Sequence, residues 1–103
     1  MFSKKLNKGI KGQLLIPCND KTVKSIESNR KVFKAICDTE FDYCEYDLYE
    51  ATYQEEDVFG INFDIRGRTR KEVKSLYSIF KKEIKENFKY HPTEIFILEY
   101  DKV

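Results

Sequence analysis

The chain has 103 residues, 41% hydrophobic and 15% aromatic, which is enough apolar surface for one modest core and too much for a disordered chain. Its 19 Lys and Arg against 18 Asp and Glu leave a net charge of +1, which removes any global electrostatic argument for nucleic-acid binding. Cys18, Cys37 and Cys44 show no C-x-x-C spacing, so neither a disulfide scaffold nor a zinc site is expected, no cofactor is implied, and a reducing cytoplasm fits best.

Residues 1–11 are polar and lysine-rich, and a basic flexible tail is expected there, ahead of a single domain over 12–103. The apolar run Leu14-Leu15-Ile16 is far too short for a signal sequence, and no stretch approaches the roughly 18 residues of a membrane span. Gln13 to Pro17 reads as a short buried strand stopped by its proline.

Asn19 or Asp20 is placed to cap a helix over about 20–38, with an imperfect apolar stripe of Val23, Ile26, Val32, Phe33, Ile36 and Cys37. Residues 41–53 and 58–65 then read as a β-hairpin. Phe59, Ile61, Phe63 and Ile65 alternate with Gly60, Asn62 and Asp64, the period of a half-buried strand. Taking Gln54-Glu55-Glu56-Asp57 as a polar turn, the expected register sets Tyr53 against Phe59, Ala51 against Ile61 and Tyr49 against Phe63. The apolar set of the first strand changes parity between Cys44, Tyr46, Leu48 and Tyr49, Ala51, Tyr53, which predicts a bulge near Asp47 and Leu48. The opposite face is then acidic, carrying Glu50, Thr52, Asn62 and Asp64 with Glu45 close by.

Gly67 suits a tight turn, and Thr69-Arg70-Lys71-Glu72 has capping-box spacing. Val73, Leu76, Tyr77, Phe80, Ile84 and Phe88 recur on one face of a second helix, which His91-Pro92 stops. Ile95 to Tyr100 forms a last strand. Strand, helix, strand, strand, helix, strand is the layout of a ferredoxin-like βαββαβ two-layer α+β sandwich with antiparallel order 4-1-3-2. The acidic 41–53 strand lies at an edge in that arrangement.

Charge is segregated along the chain. Residues 1–34 sum to +7, 35–65 to −10 and 66–103 to +4, a dipolar surface able to steer a charged partner. Three sites compete. The first is the acidic, tyrosine-rich ribbon of Tyr43, Glu45, Asp47, Glu50, Glu55, Glu56 and Asp57, which suits a basic protein surface because tyrosines anchor interfaces and carboxylates select cations. The second is the basic pole of Lys8, Lys11, Arg66, Arg68, Arg70 and Lys71, where a helix start and guanidinium groups converge on a phosphate or nucleic acid. The third is Cys18 at a helix N-terminus, with His91 and Asp20 brought near it, an arrangement suited to thiol chemistry.

The layout resembles that of the RNA-recognition motif, but Asp57 to Asp64 matches its aromatic signature only at Phe59 and Gly60, and Glu50 and Asp64 would repel phosphate. It is similar also to heavy-metal-binding domains, which carry two cysteines after strand 1 where this chain has Cys18 alone, and to acylphosphatases, whose glycine-rich anion loop is missing from Pro17 to Lys21. What the resemblance implies is fold alone. The leading expectation is a non-enzymatic interaction or inhibitor domain docking its acidic ribbon on a basic protein surface, such as that of a nucleic-acid-processing enzyme. A nucleic-acid-binding regulator using the 66–71 loop comes second and a Cys18 thiol enzyme third. No catalytic or metal residues are assigned, no membrane partner is expected, and a homodimer pairing acidic strand with basic pole is a further arrangement.

Overall fold

The computed structural model describes Leu6, residues 8–89 and the backbone of 94–102; His91 and Pro92 lie outside the described residues. It is a small α+β domain in which two helices cover one face of an antiparallel sheet. In chain order the elements are β1 (Lys8–Pro17), α1 (Asp20–Glu40), β2 (Tyr43–Tyr53), β3 (Glu56–Gly67), α2 (Arg70–Phe88) and β4 (Glu94–Lys102). β3 lies between β1 and β2 and pairs antiparallel with both. The backbone of β4 runs antiparallel along the other side of β1, with a register shift between Lys11 and Gly12.

β1 begins at Lys8 rather than Gln13, so residues 8–11 are ladder residues opposite Gly67 to Asp64 and not part of a tail. Their polar side chains hid a strand whose alternate residues, Ile10, Leu14 and Ile16, enter the core. In α1, Asn19 is the cap. Its side chain accepts from the Thr22 amide at 3.0 Å, while the Asn19 amide donates to the Thr22 hydroxyl at 2.9 Å, the reciprocal arrangement of a capping box. Ile26, Phe33 and Cys37 are buried as expected, but Val32 is 51% exposed. Asn29, between Ile26 and Val32 of the stripe, makes a helix contact, its side-chain amide donating to the Asn87 carbonyl of α2 at 2.7 Å.

The hairpin departs from expectation in turn, register and bulge. Only Gln54 and Glu55 form the turn, with φ 49° and 67°, and Tyr53 pairs with Glu56. Left-handed backbone at both central residues is the type I′ geometry whose twist matches the flanking strands. From that closure Ala51 faces Val58, Tyr49 faces Gly60, Leu48 faces Ile61, Tyr46 faces Phe63 and Cys44 faces Ile65, and the register is continuous. No bulge interrupts it near Asp47 and Leu48. The parity change has another cause: Cys44, Tyr46 and Leu48 pack against the core, while Tyr43, Tyr49, Ala51 and Tyr53 occupy the opposite, helix-free face. Tyrosine on both sides mimicked a switch because its ring suits either a core edge or a wet surface. Neither turn residue is favoured at φ > 0, so Gln54→Asn with Glu55→Gly should stabilise the domain by about 1 kcal/mol, read from urea melts.

Gly67 has a negative φ, so its freedom in a turn is not what it supplies. A β-carbon there would sit 3.1 Å from Val73 Cγ2, and glycine lets the first turn of α2 approach the strand. Thr69 caps α2 by accepting from the Glu72 amide at 3.1 Å. The Glu72 carboxylate reaches the Arg68 amide at 3.3 Å, one residue earlier than a capping box requires. Val73, Phe80, Ile84 and Phe88 are buried, and Lys89 closes the helix in the left-handed conformation with φ 60°. Phe33 of α1 meets Tyr46, Phe80 and Phe88 at centroid distances of 5.1, 5.6 and 4.9 Å. Phe63 stacks on Tyr77 at 5.3 Å. Among the described residues no helix is long and apolar enough to cross a membrane.

Candidate functional site

β2 pairs with β3 on one side only, so its other side is the sheet edge. Strand alternation places Tyr43, Glu45, Asp47, Tyr49, Ala51 and Tyr53 on the helix-free face, beside Gly60, Asn62, Asp64 and Arg66 of β3. Glu45 stands opposite Asp64, a like-charge cross-strand pair that is destabilising in itself. Asp64 is neutralised by Arg66, which grips it with Nε–Oδ1 at 2.8 Å and a second bond at 3.2 Å. Glu45 and Asp47 are exposed, and no ammonium or guanidinium nitrogen of a described residue lies within 4.0 Å of either carboxylate. With Asn62 and Asp64 they line a shallow, open groove of about 230 Å³ floored by Tyr46 and Phe63.

Tyr49 lies flat across Gly60. A β-carbon at 60 would be 2.6 Å from the Tyr49 hydroxyl, which donates to Asn62 Oδ1 at 3.3 Å. The neighbouring Glu45 carboxylate raises the Tyr43 pKa, with burial second. Burial and then Asp47 raise that of Tyr49. Both phenols stay neutral donors beside carboxylates, and the Arg66 guanidinium lies 6.0 Å from the Tyr43 ring centroid.

Of the remaining acidic residues of the ribbon, Glu56 shares this face, opposite Tyr53, and the others do not. Glu50 and Thr52 point to the helix side of the ribbon, contrary to the acidic face expected from the shifted register. Glu50 borders a groove with Val23, Ile26, Arg30 and Leu48. Glu55 is in the turn, and Glu56 and Asp57 follow it, all exposed. The residues that the sequence grouped as one ribbon therefore lie on two faces, and the reading of the sequence placed Tyr49 opposite Phe63 and left out the α1 flank of the edge. The signal that would have found the partner of Tyr49 is Gly60, which leaves room for a large ring across from it.

On the helix side, the hydroxyl pKa of Tyr46 is also shifted. Burial first, then Cys37, pushes it up to about 12 from 10.0. A folded-state pKa above the unfolded value means native protein holds that proton more tightly. Its contribution is complete below pH 10 and is lost as pH rises toward about 12. Alkaline titration of unfolding should show this slope, and Tyr46→Phe should remove it.

The basic pole is assembled but largely engaged at home. Arg66 holds Asp64, and Arg68 bonds Asp42 and reaches Glu72 at 3.4 Å. Asp42 first, and then Glu72, raise the Arg68 pKa. Lys8 and Arg70 flank a depression of about 250 Å³ walled by Ile10, Val73 and Tyr77, with Lys71 exposed nearby. Lys11 is on β1 opposite Asp64.

Cys18 does sit beside the hairpin turn, its amide donating to the Asp57 carbonyl at 3.1 Å. Its thiol pKa is raised, by burial first and then by Asp57 and Glu50. A helix N-terminus was expected to lower it; carboxylates at the same end act the other way, and the thiolate is disfavoured. Cys44 is raised further, chiefly by the neighbouring Cys37 thiol and then by burial. Among the described residues no cluster of His, Cys, Asp and Glu could hold a metal ion. Comparison with protein-family models, with curated proteins and with solved structures finds no match to the chain.

Proposed function

We propose that the domain is a non-enzymatic interaction or inhibitor module whose β2 edge docks on a cationic protein surface, such as the cleft of a nucleic-acid-processing enzyme. The observation that carries this reading is the contrast between Glu45 and Asp47, exposed with no cation in reach among the described residues, and the guanidinium groups of Arg66 and Arg68, which are held by Asp64, Asp42 and Glu72. A local like-charge pair with one member left unneutralised is a cost that a positively charged partner would relieve. Tyr43, Tyr49 and Tyr53 supply rigid contact area between the carboxylates. The ferredoxin-like arrangement with order 4-1-3-2 belongs to the same proposal. The alternating elements and the pairing of β4 with β1 support it.

The test is retention on immobilised oligolysine against salt, with Glu45→Lys/Asp47→Lys as the variant. Affinity is expected to fall at least about tenfold with an unchanged circular dichroism spectrum, whereas Glu50→Lys should change it much less. Equal retention of all three proteins would overturn the reading. Tighter binding to single-stranded oligonucleotide than to oligolysine, with a steep salt slope, would instead favour the basic pole.

A further inference from the structure

A two-residue hairpin turn closes on a hydrogen-bonded pair, and hydrogen-bonded and non-hydrogen-bonded pairs then alternate along an antiparallel ladder. With Tyr53 opposite Glu56, Tyr53, Ala51, Tyr49, Asp47, Glu45 and Tyr43 direct their amides and carbonyls at β3. Thr52, Glu50, Leu48, Tyr46 and Cys44 direct theirs outward. The edge therefore presents five consecutive outward N–H and C=O pairs in a register unbroken by bulge or proline. Native edges are normally shortened, bulged or covered to prevent such pairing, and this one is long, regular and open.

The two sides of that edge differ in chemistry. On the helix-free side stand Glu45 and Asp47. On the other side, α1 stands off and leaves a continuous trough beside β2, with lobes of about 430 and 390 Å³ that share Arg30 and Leu48. Its apolar floor is Tyr46, Leu48, Ile26 and Phe59, and its walls carry Arg30 and Lys34 together with Glu27, Asp38 and Glu50, Lys34 being paired with Asp38 at 3.4 Å. A strand laid along the edge would send alternate side chains to the carboxylates and into the trough. The first set must be cationic. The second is apolar, because Tyr46 and Leu48 are only half-buried and offer area to cover, whereas the charges along the trough are of both signs and select neither.

We infer that β2 takes an extended segment of its partner as an added antiparallel strand, and that the segment alternates lysine or arginine with apolar residues. This rests on the docking reading above and names what the docked element is. A second copy of β2 fits less well, since the antiparallel register that pairs all five outward residues sets Leu48 against Leu48, leaves Glu45 and Asp47 opposite Ala51 and Tyr49 with no cation, and makes the two Asp47 diagonal neighbours on one face. Main-chain bonds would supply affinity and the two side-chain rows specificity.

The probe is the acetylated, amidated peptide Lys-Val-Lys-Val-Lys-Val-Lys, with residue-resolved amide exchange of the full chain as the readout. In an antiparallel ladder directly opposed residues share a face, so the peptide valines, on the trough side with Leu48 and Tyr46, use their own amides for pairing. Peptide at saturation, with its three valines opposite Tyr46, Leu48 and Glu50, is expected to slow exchange at those three residues at least about tenfold. N-methylation at the valines should abolish binding, and N-methylation at the lysines should leave it within about threefold. Equal binding of the two methylated peptides would overturn strand addition while the docking reading stands. Failure of both this peptide and oligolysine to bind would remove the docking reading itself. Outward amides already protected in peptide-free protein, increasingly so with concentration, would show that a second copy occupies the edge and overturn the proposal.

Discussion

Replacing Phe33 with alanine should lower the unfolding free energy by about 3–5 kcal/mol, measured as a drop in the urea midpoint at unchanged slope. Phe33 is fully buried and touches three rings from two other elements: Tyr46 of β2, and Phe80 and Phe88 of α2. Its removal opens a void where α1, α2 and the sheet converge, and none of those rings can fill it without leaving its other contacts. Against a total stability of about 5–15 kcal/mol, the variant would be partly unfolded at moderate temperature. β2 should loosen first, because the Phe33–Tyr46 contact ties α1 to a strand that it otherwise barely meets. Faster amide exchange throughout β2, including residues paired with β3, is the accompanying sign. A loss below about 1 kcal/mol would mean that the aromatic cluster repacks around the void.

Thr22→Val is expected to cost about 1–3 kcal/mol although it changes almost no volume. Thr22 is fully buried. Its hydroxyl accepts from the Asn19 amide at 2.9 Å and lies 2.7 Å from the Pro17 carbonyl, to which it donates. Valine would keep the packing and strand both backbone groups. The loss should exceed that of Asn19→Ala, about 1 kcal/mol for a helix cap, because the threonine also fastens the end of β1 to the start of α1. Thermal melts of the two variants, singly and combined, would rank them. A neutral Thr22→Val would show that water reaches the cap.

Element types and order were legible because the signals are redundant there. Val73, Phe80, Ile84 and Phe88 repeat at helical spacing behind a threonine cap, and Phe59 to Ile65 alternate without exception. The hairpin register was not legible, because Gln54 and Glu55 are poor residues for left-handed backbone and gave no mark of a two-residue turn. A closure three positions different moved Glu50 from the acidic face to the trough and exchanged the partners of Tyr49 and Tyr53. For the basic residues, Arg66 takes Asp64 two positions before it while Arg68 takes Asp42 from 26 positions earlier in the chain, and which carboxylate each guanidinium takes is decided only by the fold. For Cys18 the helix start was visible, while the opposing carboxylates of Asp57 and Glu50 arrive through tertiary structure.

The ring of Tyr49 occupies the space that a side chain at position 60 would fill. In a mutational scan the two positions should therefore show epistasis: alanine at 60 is harmful with tyrosine present and tolerated when residue 49 is small. Reading either column alone would misjudge both residues, whereas their joint pattern would report the hairpin alignment without any coordinates.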